Sequence, residues 1–119
     1  MVQHGFSHIE WESTDLEQTR HFLSGLFGWS FMPMGDTYLA FRPPGTTSGG
    51  ILKKETVHAG SSPVVLIEVE EITPYLEKAV LLGGKVTVPK TPIPGMGWFA
   101  HVADADGNLF GLVQSPPAS

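Results

Sequence analysis

Two stretches of this chain read alike at an offset of fifty-six residues. His8-Ile-Glu-Trp-Glu-Ser-Thr-Asp-Leu-Glu leads into an amphipathic run that stops at Gly28, and Val64-Val-Leu-Ile-Glu-Val-Glu-Glu-Ile-Thr leads into another that stops at Gly84. The offset sets Asp15 on Glu71, Leu16 on Ile72 and Gly28 on Gly84 without a gap. A repeat this long within 119 residues specifies two copies of one strand-led module rather than a solenoid. A chain of this length supports one domain with a single core, so residues 1–119 are read as one domain. Module one covers about residues 4–58 and module two about 62–115.

Within the first copy, Phe6 to Ser13 alternates as a strand, with Ile9 and Trp11 on one face and His8, Glu10 and Glu12 on the other. Asp15 is placed to cap a helix with Gln18 as its partner, and Gly28 to end it. Leu16, Leu23, Leu26 and Phe27 give that helix one apolar face. Trp29 to Met34 and Thr37 to Arg42 flank Gly35-Asp36 as a hairpin, and Gly49 to Glu55 makes a fourth strand. His58 to Ser62 is the joint. In the second copy, Pro63 to Val69 is a strand with Val65, Ile67 and Val69 inward and Leu66 and Glu68 opposite. Thr73 is expected to cap the second helix with Pro74 at its first position, and Leu76, Ala79 and Val80 to pack. Lys85 to Pro89, Gly97 to Ala103 and Asn108 to Gln114 follow as strands. The order is βαβββ twice, an α+β class with helices on the outer face of curved mixed sheets around a cleft.

Charge and composition exclude several functions. Net charge is −5 and the seven basic residues form no cluster, which argues against a nucleic-acid partner or an anionic membrane surface. No apolar stretch approaches membrane-spanning length, and Met1 to Phe6 has no cationic lead, so no membrane partner and a cytoplasmic location are expected. With no cysteine, thiolate nucleophiles and cysteine metal sites are excluded.

The run His8-Ile-Glu…Asp15-Leu-Glu…Phe22…Leu26-Phe27-Gly28-Trp29 resembles the first module of the vicinal oxygen chelate superfamily, which includes glyoxalase I, bleomycin resistance proteins and extradiol dioxygenases. Leu82-Gly83-Gly84-Lys85-Val86, Ile93-Pro94-Gly95-Met96-Gly97-Trp98-Phe99-Ala100 and Asp104-Ala105-Asp106-Gly107-Asn108-Leu109-Phe110-Gly111-Leu112 resemble the second. The resemblance spans almost the whole chain. It implies paired modules around a cleft, a homodimer, and a small-molecule ligand that the protein binds or transforms.

Metal-using members of that superfamily hold one divalent ion with a residue from the first strand of each module and one from the last: His or Gln, Glu, His and Glu. By that resemblance His8 takes the first position, Val64 the third and Gly111 the fourth, and the second falls within residues 49–54. Valine and glycine donate no lone pair, so the metal site is read as degenerate, with His8 its one retained ligand and no cofactor expected. The alternative is a metal-dependent lyase, isomerase or dioxygenase of the glyoxalase I type, using nickel, cobalt, zinc, manganese or iron on His8 and cleft carboxylates. Candidate substrate-binding residues are His8, Glu10, Glu68, Met96, Trp98 and His101. Glu68 and His101 are also the candidate acid–base groups, since a buried carboxylate or a histidine can titrate near neutrality. The chain's being an enzyme stays open at this point.

Overall fold

The computed structural model describes residues 4–117. The chain forms two compact units, one from His8 to Val64 and one from Val65 onward together with the residues before His8. Each is built in the same order. β1 (Phe6–Ser13) enters the first unit at His8 and is followed by α1 (Leu16–Phe27), β2 (Met32–Pro33), β3 (Tyr38–Phe41) and β4 (Ser48–Lys53). The second unit has β5 (Val64–Glu68), α2 (Ile72–Leu81), β6 (Lys85–Ile93), β7 (Gly97–Ala103) and β8 (Leu109–Gln114). In the first, β2, β3 and β4 pair antiparallel and β4 pairs parallel to β1. In the second, β6, β7 and β8 pair antiparallel and β8 pairs parallel to β5. This is the α+β, twice-repeated βαβββ architecture expected.

The helices start by different means. Asp15, extended at φ −147°, accepts the Gln18 N–H at 3.1 Å, and the buried Ser13 hydroxyl takes the Asp15 N–H at 3.0 Å. Gly28 ends α1 at φ 74°, a left-handed conformation, with its N–H on the Ser24 carbonyl. In α2 the cap position is Glu71, not Thr73, and it makes no side-chain cap bond. The Ile72 N–H instead donates to Gln114 Oε1 at 2.8 Å, so a residue of β8 satisfies the helix start, which falls two residues earlier than expected. Pro74 falls at the third helical position, still within the turn whose N–H groups lack intrahelical partners.

Each unit buries its own apolar cluster under its helix. Leu39, Phe41 and Ile51 pack with Trp11, Leu16, Leu23, Trp29 and Phe31, and Val69, Ile72, Ala100 and Leu112 pack with Tyr75, Leu76, Trp98 and Val102. Three expected packing residues face out: Leu26, Phe27 and Val80 are exposed. The packing stripe of α2 is 72, 75, 76 and 79. On β5, where Val65 and Ile67 were expected inward and Leu66 opposite, Leu66 and Val64 are buried while Val65 and Ile67 are only half-buried. β2 is shorter than the expected Trp29–Met34, since Trp29 and Phe31 turn into the core against Phe41, with ring centroids 5.1 and 4.9 Å away. β6 runs on to Ile93 through two prolines, Pro89 and Pro92, which it tolerates as an edge strand with shifted register.

Candidate functional site

The face of the first sheet opposite α1 is set by strand alternation. Pairing places His8 beside Ser48, Glu10 beside Gly50 and Ala40, and Glu12 beside Leu52 and Tyr38. Tyr38 and Ala40 point to this face, and Arg42, one residue beyond the end of β3, continues their alternation into the row of Ser48 and His8. The floor beneath the Tyr38 ring is glycine: a Cβ on Gly50 would lie 1.6 Å from Tyr38 Oη and 2.2 Å from Cζ. Gly49 does the same on the helix side, where a Cβ would lie 2.5 Å from the Phe41 ring. The Gly49-Gly50 pair thus lets one aromatic ring lie flat on each face of β4.

Over Gly50 the Tyr38 hydroxyl reaches two side chains of β1. It donates to Glu10 Oε2 at 2.8 Å and lies 2.7 Å from His8 Nε2, while His8 Nδ1 lies 2.8 Å from Ser48 Oγ. The phenol has one proton, and a carboxylate can only accept, so the Tyr38 oxygen accepts from His8 Nε2–H. His8 Nδ1 then carries the lone pair and accepts from Ser48. The charges agree with this assignment. Burial first, and then the Arg42 guanidinium, hold the His8 pKa below its usual 6.5, which favours neutral imidazole. Burial, the charge of Glu10 and its hydrogen bond push the Tyr38 phenol far above its usual range, so it remains a donor. The result is one ordered row: Ser48, His8, Tyr38, Glu10. Glu12, beyond it on the same face, accepts from Ser61 at 3.1 Å.

The donor set does not fit a metal. Both ring nitrogens of His8 are engaged, and among the described residues no three of His, Asp and Glu converge to hold an ion. Register adds the missing second position. Glu10 pairs with Gly50 as Leu66 pairs with Gly111, so Gly50 is the first unit's counterpart of Gly111. Of the four positions implied by the resemblance, two then fall on glycines and one on Val64; where a side chain would leave Gly50, the Tyr38 hydroxyl already stands.

The second unit distributes its candidates over two faces. His101, Gly111 and Leu66 share one row, and Phe99, Val113 and Glu68 the next. The His101 ring meets Phe99 edge-on at 5.7 Å, and Glu68 Oε2 accepts from Ser115 at 3.4 Å. Trp98 alternates with Phe99 onto the helix side, against the Val69–Ile72 cluster, with Lys90 Nζ 4.8 Å from its ring centroid. Met96 is exposed in the tight β6–β7 turn, its N–H on the Ile93 carbonyl. A Cβ on Gly97, at φ 101°, would lie 2.0 Å from the Gln114 carbonyl oxygen, so this turn is braced against β8. The structure therefore joins His8 and Glu10 through one hydroxyl, puts His101 and Glu68 on one face, and places Met96 and Trp98 apart from that face.

Tyr38, Ser48 and Arg42 were missed by sequence reasoning. The available signal was period-two alternation over 38, 40 and 42 opposite a strand bearing two adjacent glycines. Two concavities of about 330 and 160 Å³ lie at Gly83–Lys85 with Asp104–Gly107, and at Trp11, Trp29, Phe41 and Pro43. In the first, the Asp104 carboxylate is spent on its own loop, accepting from the Asp106 and Asn108 N–H groups and from Asn108 Nδ2. In the second the lining is the aromatic core edge. Of the row from Ser48 to Glu10, only Ser48 borders one of these concavities, the second.

No protein-family profile and no curated protein matches the chain. Solved structures do. A hypothetical protein from Bacillus halodurans C-125 superposes at TM-score 0.72 with 16% identity over 98% of both chains. Methylmalonyl-CoA epimerase from Mycobacterium tuberculosis matches at 0.71 and 14% identity over 95% of this chain and 89% of its own. A glyoxalase/bleomycin resistance protein/dioxygenase superfamily member from Vibrio splendidus 12B01 matches at 0.69 and 14% identity, over 95% and 100%. At such identities the likeness shows the fold, and a fold of this kind hosts unrelated reactions.

Proposed function

We propose that this chain, which has the vicinal oxygen chelate fold, binds or transforms a small molecule on the open face of its first unit without a bound metal. The observation that carries this reading is the engagement of both His8 nitrogens, by Tyr38 and Ser48. The imidazole that would be a first metal ligand is here a fixed, neutral link in a hydrogen-bonded row. Glu10, Arg42 and Ser48 supply the polar contacts of the site. Glu68 and His101 share a face of the second unit and are kept as further ligand contacts.

Two wider features belong to the same reading. The chain acts as a homodimer, supported by Phe22 and Leu26, one turn apart on α1 and 64% and 59% exposed. Its place is the cytoplasm, supported by the absence of cysteine; no described helix is long and apolar enough to cross a membrane.

Metal analysis of protein purified without chelator tests the reading. Less than a tenth of an equivalent of any divalent transition metal per chain, roughly the level at which a site is not being filled, is expected. One equivalent that disappears in His8→Ala would reject it.

A further inference from the structure

We propose that the helix side of the first unit is a binding site for a neutral, single-ring aromatic molecule of the phenol class. The site goes beyond the function proposed above, because it lies on the other face of the sheet from His8, Tyr38 and Glu10 and does not depend on them.

Its origin is one incompletely covered row of the sheet. Ile9 on β1, Gly49 on β4 and Phe41 on β3 stand side by side, as do Trp11, Ile51 and Leu39 in the next helix-side row. Ile51 closes the second of these rows and is fully buried, at 0% exposed. The first row has no side chain at its centre, and a Cβ on Gly49 would lie 2.5 Å from the Phe41 ring. Phe41 covers the glycine, while Ile9 and Trp11 stay half-buried. α1 does not complete the cover: none of its residues is buried, and Leu26 and Phe27 in its last turn are exposed. A concavity of about 160 Å³ remains, walled by Ile9, Trp11, Trp29 and Phe41.

The walls select a flat, apolar ring. Trp11 and Trp29 lie within 26° and 23° of parallel to Phe41, with ring centroids 6.3 and 5.1 Å from it. A further ring stacks on such planes, or meets them edge-on, at centroid distances of ~4.5–7 Å. The volume suits a single ring, since an apolar cavity of ~150 Å³ stays dry and takes up benzene. Among the described residues, none that lines the concavity is charged. A carboxylate or ammonium group would therefore lose its water there without gaining a partner. Thr46 and Thr47 bring hydroxyls to the border, and a hydroxyl both donates and accepts. One neutral hydroxyl on the ligand ring has a place among them.

The walls are set before a ligand arrives. Gly28 turns the chain out of α1 at φ 74°, and Ser24 Oγ donates to the Trp29 carbonyl at 2.9 Å, which ties the tryptophan backbone to the helix. Trp11 and Phe41 are held in paired strands. Binding has little ordering left to supply.

Indole NMR tests this. The chain's three tryptophans give three Nε1–H signals. Trp98 packs in the second unit's own cluster and does not line the concavity, so it is the internal control. Phenol added to nitrogen-15-labelled protein should shift the Trp11 and Trp29 signals saturably and leave Trp98 in place. Benzoate, the same ring with a charge, should bind at least about tenfold more weakly. Thr46→Phe, at an exposed position, should fill the concavity from its rim and weaken phenol about tenfold with an unchanged thermal midpoint. Trp29→Leu keeps an apolar wall but loses the ring, and should weaken phenol about fivefold as read at Trp11. No saturable shift, equal shifts at all three indoles, or phenol binding unchanged in Thr46→Phe overturns the proposal. Benzoate binding as tightly as phenol does so too.

Discussion

The two units are one design carrying opposite chemistry on the same face. In both, the first strand pairs parallel to the last, and the row Glu10–Gly50 in one matches Leu66–Gly111 in the other. The first unit fills its row with charge and hydroxyls: Glu10 half-buried, Tyr38 across Gly50, and His8 with Ser48 alongside. The second buries Leu66 and Val64, each 7% exposed, with His101 at the far end of the Leu66 row and Glu68 in the next. The repeated backbone therefore does not specify a site; two side chains per strand do. A glycine at 50 admits a tyrosine and makes a network, whereas a leucine at 66 beside Gly111 makes packing.

The largest effect is expected where the network's floor is removed. Gly50→Ala puts a methyl into the Tyr38 ring and should cost ~1–3 kcal/mol of unfolding free energy, the usual range for overpacking. Adding Tyr38→Ala should recover part of that loss, so a urea titration of single and double variants that found strict additivity would break the account of Gly50. Next comes the hydroxyl itself. Tyr38→Phe leaves His8 Nε2–H and Glu10 Oε2 without their partner in a half-buried place and should cost ~1–2 kcal/mol. The matching change in the second unit, Tyr75→Phe, removes only an exposed bond to His4 and should cost about 0.5 kcal/mol. Equal costs would mean the first row is no better ordered than a surface contact. The smallest test concerns the helix starts. Asp15→Ala should cost ~1 kcal/mol as a lost cap, while Glu71→Ala should stay within about 0.5 kcal/mol, because Gln114 does that work.

Much of the fold was legible because it rests on local rules. Strand alternation on β1 put Ile9 and Trp11 inward and His8 and Glu10 outward, as the structure has them, and Asp15 and Gly28 marked α1 through capping chemistry. The start of α2 was misread because its partner, Gln114, lies forty-two residues away. The same holds at the site. His8 and Glu10 are readable from one strand, but the group that joins them comes from β3, and Ser48 from β4. Only pairing register brings these together, and no local pattern encodes register across separations of 28 to 40 residues. Gly50 had no local reason to be glycine; its reason is a ring from the neighbouring strand.

The His8 ring reports most directly on whether this row has taken the place of a metal. Nitrogen-15 NMR of the imidazole should show the proton on Nε2 and a bare Nδ1 at pH 7.5, unchanged by excess zinc or nickel. Because folding lowers this pKa below 6.5, the unfolded chain takes up the proton first. Stability due to His8 is therefore full above about 6.5 and is lost as pH falls from there through the folded pKa. The same spectra followed downward from pH 7.5 should show His8 still neutral at 6.5, where an unhindered histidine is half protonated. A proton on Nδ1, or resonances that move stoichiometrically with added metal, would contradict the account.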